Sequence, residues 1–419
     1  MTKSILLAGL AALAFVSSPA AAQTSPEAVA EAALKKAPVF DGHNDVPWAL
    51  RERADNMING FDFNDTSHTA TTDRIAMHTD LIRLRKGHVG AQFWSVYVPS
   101  NSNEAQAVQQ TLEQIDVMKR LVQRYPNDLM LATSSAELEK AMKAGKIAGM
   151  LGMEGGHSIG SSLAVLRDMY DLGARYMTLT HSRNTPWGDS ATDAPAHDGL
   201  TPFGEQVVRE MNRIGMIVDL SHTSEATMKD ALAVAKAPVM FSHSGARGVN
   251  DHPRNVPDSV LPLVKANGGI VMVVLLPTFL DPQVRAYGLS RTAEQARLKA
   301  MYPGDPAAAG KAIADWDKAN PTPTTDVAKV ADHIDHIRKL AGIDHIGLGG
   351  DYDGMDSAPV GMEDVSGYPA LFVELAKRGY SQADLEKIAS GNMLRVLKAV
   401  EAYAASQKGQ PPIETPVAK

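Results

Sequence analysis

The chain has 419 residues, and its 41 Lys and Arg against 48 Asp and Glu give a net charge of −7 at pH 7. Hydrophobic residues make up 44% of the chain and aromatic residues 5%, which is an ordinary composition for a globular protein. Acidic residues outnumber basic ones and no long basic run appears, so nucleic acid is excluded as a partner. The chain has no cysteine, which excludes disulfides and thiolate ligands, so any metal must be bound by histidine and carboxylate side chains.

The first 22 residues have the layout of a cleavable secretory signal. Lys3 precedes an apolar run over residues 5–16, and small residues end at Ala22 before Gln23. This run is too short to cross a bilayer comfortably, so we expect cleavage rather than an anchored N-terminus. Residues 406–419 form a polar tail rather than a hydrophobic anchor signal. The sequence therefore predicts a periplasmic or secreted protein with no membrane anchor after signal cleavage.

Short β-rich runs alternate with stretches long enough for a helix over residues 23–405. The runs cover residues 39–45, 89–98, 147–154, 174–181, 216–222, 238–243, 269–276 and 345–351. Some are continuously apolar, such as IVMVVLL, which indicates strands covered on both faces, as in a parallel sheet. Strand–helix alternation repeated eight times predicts an α/β fold of the (β/α)₈, or TIM-barrel, type of metal-dependent hydrolase, forming one catalytic domain.

The helical signals between these runs fit the same fold. Residues 104–125 place apolar side chains three and four positions apart, as in a helix packed on a barrel wall. Ser381 followed by Asp384 predicts a capped helix start near the C-terminus. Residues 277–328, with six prolines, form an insertion too long for a plain loop. We expect either a lid or dimer contact over the barrel mouth, or a decorative insertion.

Polar side chains suited to catalysis stand at the ends of six predicted strands. They are His43 and Asp45, Glu154, His181, His222, His243 and Asp351. In barrels of this type, side chains at the C-terminal ends of the strands converge on one active site. His43 and Asp45 also lie at i and i+2, positions that share one face of an extended strand. We therefore expect a single site.

This set of side chains suits two Zn²⁺ ions. His43 and Asp45 provide ligands on one side, His222 and His243 provide them on the other, and Glu154 provides a shared carboxylate. Two ions held about 3.5–4 Å apart lower the pKa of a water between them toward ~7, so that a metal-bridging hydroxide attacks at neutral pH. The sequence therefore predicts a binuclear zinc hydrolase.

Three further residues have candidate roles in the reaction. Asp351 is placed to act as the base that passes a proton to the leaving amine, the alternative being a cap of the turn that follows it. His181 could be another ligand, but five ligands already fill two tetrahedral sites that must leave room for water. We therefore prefer His181 as a hydrogen-bond donor to the substrate carbonyl oxygen. Arg254 lies in a loop after the sixth predicted strand, and its guanidinium group is suited to binding a carboxylate through two hydrogen bonds.

Other candidates carry less weight. Trp48 and Tyr97 are expected to help line the substrate pocket, although aromatic residues near a barrel rim are often plain packing. His333 and His336, spaced i, i+3, resemble a metal pair, but a solvated face of a helix leading into the last strand explains them better. His157 is assigned only to the surroundings of Glu154. No HExxH, P-loop, GxSxG or kinase signature is present.

Eight longer strings point to a family. They are DGHNDVPW (41–48), GAQFWSVYVP (90–99), GMEGGHSIG (152–160), YMTLTHSRNTPWGDS (176–190), VDLSH (218–222), FSHSGAR (241–247), HPRNVPD (252–258) and GLGGDYDG (347–354). In this order, over residues 39–400, they closely resemble the renal or membrane dipeptidases, peptidase family M19 of the amidohydrolase superfamily.

The resemblance implies a role for each candidate. It makes His43 and Asp45 the ligands of one zinc, His222 and His243 those of the other, Glu154 the bridging carboxylate, Asp351 the proton-transfer acid, His181 the contact to the substrate carbonyl, and Arg254 the holder of the substrate's C-terminal carboxylate. It further implies hydrolysis of dipeptides, L-Xaa-L-Xaa and L-Xaa-D-Xaa, and suggests a homodimer. The mammalian members' cysteines and lipid-anchor signal are absent here, so neither disulfide-linked assembly nor a membrane location is carried over.

Two other functions remain open. An N-acyl-D-amino-acid hydrolase would use the same binuclear site on a different amide. A non-catalytic periplasmic binding protein would use the barrel only as a scaffold, and the complete ligand set is the argument against it.

Overall fold

Nine strands form the centre of the molecule, seen in a computed structural model that describes residues 25–72 and 74–416. The predicted signal peptide lies outside these residues. The strands are β1 Val39–Asn44, β2 Val89–Ser95, β3 Leu129–Leu131, β4 Ile147–Glu154, β5 Ala174–Thr178, β6 Ile217–Asp219, β7 Met240–Phe241, β8 Ile270–Val273 and β9 Ile346–Leu348. Every pairing between them is parallel.

Eight of these strands close into a barrel in the order β1, β2, β4, β5, β6, β7, β8 and β9. Asp41 in β1 pairs with Leu348 in β9, which completes the ring. This confirms the predicted (β/α)₈ fold. The additional strand β3 pairs with the first residues of β4, Leu129 lying beside Ile147. It was missed because three residues, of which one is buried, give no period by which a strand can be recognised.

Helices cover the outside of the barrel. They are α1 Pro26–Lys36, α2 Val46–Ala54, α3 Leu81–Lys86, α4 Glu104–Arg124, α5 Ser135–Lys143, α6 Leu163–Asp171, α7 Pro202–Ile214, α8 Glu225–Val234, α9 Leu261–Asn267, α10 Pro277–Leu280, α11 Pro282–Met301, α12 Pro306–Ala319, α13 Val327–Leu340, α14 Tyr368–Lys377, α15 Gln382–Glu386 and α16 Asn392–Ser406. Each strand packs against other side chains inside the barrel and against helices outside it. Both faces of the strands are therefore apolar, as the continuous apolar runs predicted.

The predicted helix signals are confirmed. Helix α4 starts after Asn103, whose side chain accepts a hydrogen bond from the Gln106 amide. Ser381 and Asp384 form the reciprocal capping box that opens α15. A π-helical turn, Lys387–Gly391, then joins α15 to α16.

The insertion after β8 consists of α10, α11 and α12. Helix α12 has no buried side chain, and α11 buries only Val284 and Leu298. The two helices contact each other through Tyr287 and Trp316, whose ring centroids are 5.6 Å apart. Phe279 in α10 lines the mouth of the barrel. Most of this insertion therefore forms an outer layer rather than part of the core.

Several strands end earlier than predicted. Strand β5 stops at Thr178, β6 at Asp219 and β9 at Leu348, so that the candidate residues beyond them stand in short loops. The backbone shows why two predicted strands cannot extend to their predicted last residues, because His222 and Asp351 have φ values of 66° and 61°. Left-handed residues cannot continue a strand, and such strain in non-glycine residues concentrates at functional sites.

Candidate active site

A cavity of about 580 Å³ opens at the C-terminal ends of the barrel strands. Nine of the ten predicted site residues line it. The tenth, His43, lies under its floor with no exposed surface. The barrel therefore brings together every side chain that the sequence singled out for the site, as the strand-end pattern predicted.

Glu154, the last residue of β4, occupies the middle of the floor. Its Oε2 lies 3.4 Å from His43 Nε2 and accepts a hydrogen bond of 3.1 Å from Ser95 Oγ. Its Oε1 lies 3.0 Å from His222 Nε2 and 3.4 Å from His243 Nε2. Each oxygen of this carboxylate thus faces different imidazoles. A carboxylate in this position could bind a cation through each of its oxygens.

On one side of Glu154 are His43, Asp45 and Asp351. His43 Nε2 lies 3.4 Å from Asp45 Oδ2 and 4.0 Å from Asp351 Oδ1. Asp45 is not in the strand, as the i, i+2 argument assumed, but is the residue before α2. Burial raises the pKa of Asp351 well above its ordinary value, and the nearby carboxylates of Asp45 and Glu154 raise this pKa further, against the opposing effect of His43.

On the other side are His222 and His243, whose Nε2 atoms are 2.9 Å apart. Burial holds the pKa of both imidazoles well below the ordinary value. The neighbouring cation Arg254 lowers the two pKa values further. Both side chains are therefore neutral at pH 7, the form in which histidine binds a metal.

These donors fit a divalent metal centre. Three groups of donor atoms each lie within 4.8 Å of one another: His43, Glu154 and His243; Glu154, His181 and His222; and His43, Asp45 and Asp351. Within the described residues, His43 Nε2 and Asp45 Oδ1 are buried without a hydrogen-bond partner. Asp45 and Glu154 are buried and Asp351 is partly buried beside them, and carboxylates in such surroundings require positive charge nearby. Imidazole nitrogens with carboxylate oxygens are the donors that zinc prefers when no thiolate is available.

The contacts to the Nδ1 atoms of His43 and His243, on the side of each ring away from Glu154, were not predicted. The Tyr176 hydroxyl lies 2.9 Å from His43 Nδ1, and Ser242 Oγ lies 2.8 Å from His243 Nδ1. Tyr176 reaches His43 across Gly152, where an added Cβ would come within 2.0 Å of the phenol ring. A tyrosine inside an apolar strand and a serine before a histidine have no distinctive spacing, so the sequence offered no signal for either.

The aromatic candidates form one wall of the cavity next to His181. The ring centroids of Tyr97 and His181 are 4.9 Å apart, and those of Trp48 and Tyr97 are 5.0 Å apart. Burial lowers the pKa of His181 to about 4. His181 is therefore neutral at pH 7 and has one N–H to donate. Its Nε2 lies 3.5 Å from Glu154 Oε1.

Arg254 lies on the far wall and is 3% exposed. Its Nη2 donates to the His243 carbonyl oxygen at 3.3 Å, and its guanidinium carbon lies 5.3 Å from the centre of the Phe279 ring. Burial lowers the pKa of Arg254 to about 10, which leaves it cationic at pH 7. Its Nε and Nη1 are buried without a partner among the described residues. A buried cation with unused donors is suited to an anionic ligand group.

A second histidine–aspartate contact lines the cavity and was missed. The Asp353 amide donates to His78 Nδ1 at 3.0 Å, and the His78 amide donates to Asp353 Oδ1 at 2.7 Å. This reciprocal pair braces the loop that carries Asp351. The string around Asp351 already contained Asp353, but nothing in the spacing connected it to His78, 275 residues away.

The expectation of a solvated face for His333 is wrong. His333 has no exposed surface, and its ring bonds the Leu280 carbonyl oxygen and the Ala246 amide at 2.9 and 2.8 Å. Its partner in the i, i+3 pair, His336, is half-buried against Asp258 Oδ1 at 2.8 Å. His157 contacts the Val98 carbonyl oxygen at 3.2 Å. These three histidines have structural contacts.

Known proteins resemble this chain in sequence and fold. The sequence profile of the family described as membrane dipeptidase (peptidase family M19) matches residues 27–411. Dipeptidase 3 of Rattus norvegicus is 43% identical over 388 residues, covering 91% of this chain and 69% of the rat protein. The probable dipeptidase PvdM from Pseudomonas aeruginosa superposes with a TM-score of 0.76 at 26% identity, over 90% of this chain and 99% of that one. The metallopeptidase dipeptidase AC superposes with a TM-score of 0.70 at 25% identity, over 87% of this chain and 98% of that one.

The fold, the clusters of potential metal ligands and these matches together define a metal-dependent dipeptidase. The chain belongs to the membrane dipeptidase family, peptidase family M19. Among the described residues, no helix has both the length and the apolar character that crossing a membrane requires.

Proposed function

We propose that the protein hydrolyses dipeptides with two Zn²⁺ ions. His43 and Asp45 hold one ion, His222 and His243 hold the other, and Glu154 binds both. The observation that carries this proposal is the placement of the two Glu154 oxygens, one toward His43 and one toward His222 and His243. When bound, the ions supply a water-derived nucleophile at neutral pH and positive charge for the developing oxyanion.

The protein's own residues orient the dipeptide and move its protons. Arg254 holds the C-terminal carboxylate with its free Nε and Nη1 donors, which restricts the site to short substrates. His181, neutral in its buried position, donates to the scissile carbonyl oxygen. Asp351 takes a proton and passes it to the departing amine, and its raised pKa favours holding the proton between these two steps. Trp48 and Tyr97 exclude water from one side of the substrate.

A free dipeptide is favoured over an N-acyl amino acid by the family match, because the family and the relatives reported above are described as dipeptidases. We further propose that the substrates are L-Xaa-L-Xaa and L-Xaa-D-Xaa dipeptides.

Metal analysis and a substrate panel test this function together. We expect about two zinc per purified chain, loss of activity on chelation, and recovery on adding zinc. Ala-Ala in L-L and L-D forms should be hydrolysed much faster than N-acetyl-D-alanine. Fast turnover of the acylated substrate alone would favour the N-acyl-D-amino-acid hydrolase. Two bound zinc ions with no turnover of either class would favour a binding protein.

We also propose that the protein is exported and dimeric. Export is supported by the basic, apolar and small-residue order of residues 1–22, and mass spectrometry of the exported protein should find Gln23 at its N-terminus. Dimerisation is supported by apolar side chains on α11, where Leu289 and Met301 are 63% and 57% exposed. Light scattering should give twice the chain mass, and Leu289→Glu should reduce it to one.

A further inference from the structure

Three buried side chains form a hydrogen-bonded line that ends on His243. Ser242 Oγ lies 2.6 Å from Asp219 Oδ2 and 2.8 Å from His243 Nδ1. Asp219 and Ser242 have no exposed surface, and His243 is 1% exposed. Because bulk water does not reach these atoms, the protein alone decides which of them carries each proton.

The surroundings of Asp219 fix the direction of these hydrogen bonds. Its Oδ1 accepts from the backbone amides of Ser221 and Ser242 at 3.1 and 2.8 Å. Its Oδ2 accepts from the hydroxyls of Thr178 and Ser242. A carboxylate facing four donors acts only as an acceptor, so the single hydroxyl proton of Ser242 points at Asp219. The Ser242 oxygen can then only accept from His243, which requires the proton of the imidazole to be on Nδ1.

We propose that Asp219 and Ser242 are positioning residues that hold His243 in the Nδ1–H tautomer. The lone pair of this imidazole is then on Nε2, which lies 3.4 Å from Glu154 Oε1 and faces the metal-ligating cluster. A hydrogen bond to the distal nitrogen both orients a histidine ligand and increases its basicity. This inference rests on the proposed function only in taking His243 as a ligand.

His222 differs from His243 in this respect. Its Nδ1 is buried without a partner among the described residues. Of the two imidazoles that face Glu154 Oε1 from this side, His243 is the one whose tautomer and ring orientation are set by the protein. We therefore expect the affinity of this side for metal to depend strongly on Ser242.

Zinc affinity, measured by chelator competition on the apoprotein, tests the proposal with a matched pair of variants. Ser242→Ala breaks the line to His243, whereas Thr178→Val removes a different hydroxyl from the same Asp219 oxygen. We expect Ser242→Ala to weaken the binding of one zinc by about 10–100-fold. Thr178→Val should weaken it by less than about fivefold. Equal losses in the two variants, or none in Ser242→Ala, would overturn the proposal.

A measurement on the unmodified protein covers the case in which Ser242→Ala does not fold. Nitrogen-15 NMR of imidazole-labelled apoprotein, with His243→Gln to assign the signal, should show His243 protonated on Nδ1. Protonation on Nε2 would contradict the proposal even if zinc binds. If the wild-type chain binds fewer than two zinc ions, the binuclear function fails, and the NMR result still decides the tautomer.

Discussion

The two sides of the barrel mouth are constructed alike but present different chemistry. Asp41 on β1 accepts from the amide of His43, two residues ahead, and from Gly350 beyond β9, at 3.1 and 2.8 Å. Asp219 on β6 accepts in the same way from the amides of Ser221, two residues ahead, and Ser242 beyond β7. Each buried aspartate therefore ties the end of its strand to the end of the neighbouring strand.

The two sides differ in the side chains that lie at the barrel mouth beyond each buried aspartate. The β1 and β9 side presents one imidazole with two carboxylates, and the β6 and β7 side presents two imidazoles beside the buried cation Arg254. Glu154 lies between the two sides and contacts both. The same backbone arrangement can thus support two sides of a site that differ in their chemistry.

Replacing Glu154, which contacts both sides, should have the largest effect on metal binding and activity. Glu154→Gln keeps the shape but loses the charge that both halves share. We expect loss of tightly bound metal and a fall in kcat/KM of about 10⁴-fold or more, because the nucleophile depends on the ions. Metal analysis and dipeptide hydrolysis measure this. Ser95→Ala, which removes a hydroxyl that contacts Glu154 Oε2 and Asp45 but leaves both carboxylates in place, is the control and should retain both ions. A fully active Glu154→Gln protein would refute the bridging role.

The acidic side is tested by Asp351→Asn. Because Asp351 is proposed to transfer protons rather than to bind metal, both ions should remain while kcat falls by about 10²–10⁴-fold. Metal content and steady-state kinetics measured on one sample separate the two effects. Asp356→Asn, which removes an exposed acid from the rim of the same cavity, should change little. Normal turnover by Asp351→Asn would remove the proton-transfer role, and loss of metal would make Asp351 a ligand.

The cationic side is tested by Arg254→Met. Losing charge-assisted hydrogen bonds worth about 1.5–3 kcal/mol should reduce kcat/KM about 10–150-fold for a dipeptide, mainly through KM. A dipeptide amide lacks the carboxylate and should be hydrolysed poorly, with little further loss in the variant. The control is Arg74→Met, which removes a half-exposed cation from the cavity rim. If the amide and the free acid lose activity equally, Arg254 does not bind the carboxylate.

The sequence predicted the side chains that face the cavity from both sides. It did not predict the buried aspartates that join the strand ends behind them. His43, Asp45 and Glu154 were recognisable because ligand types at the ends of apolar runs are rare and barrel geometry makes such ends converge. Asp41 and Asp219 occupy positions of the same kind within the same strings. Their role is to accept backbone amides from strands that follow elsewhere in the chain, and no local pattern encodes that pairing.

The errors in the fold have a similar origin. The predicted strands ran on to His222 and Asp351 because β-rich composition continues past the last ladder hydrogen bond, and a left-handed φ is not visible in residue identity. His333 was assigned to solvent from its helix alone, whereas Leu280 and Ala246, which enclose it, lie 53 and 87 residues away in the chain. Local periodicity determines element type well, and contacts distant in sequence determine where elements end and what they bury.

The smallest effects are expected from substitutions of the two buried aspartates that join the strand ends. Comparing these variants would show whether the two sides are equivalent. Asp41→Asn and Asp219→Asn each keep one acceptor oxygen for the two backbone amides. The new amide group then faces the Tyr368 hydroxyl in the first variant, which can turn to accept from it. In the second variant the amide faces two hydroxyls, and Ser242 can turn to accept from it and keep its contact with His243 only if the imidazole proton moves from Nδ1 to Nε2.

We therefore expect both variants to lower the free energy of unfolding, by about 1–3 kcal/mol, with the larger loss in Asp219→Asn. Chemical denaturation of the metal-free proteins measures this, since bound zinc would add its own stabilisation to any difference. Asp230→Asn, at a carboxylate that within the described ranges accepts a hydrogen bond from the Leu200 amide alone, controls for the general cost of removing a charge. Equal losses at positions 41 and 219 would mean that moving the His243 proton from Nδ1 to Nε2 costs no more than turning the Tyr368 hydroxyl, so that Asp219 and Ser242 would exert little control over the tautomer.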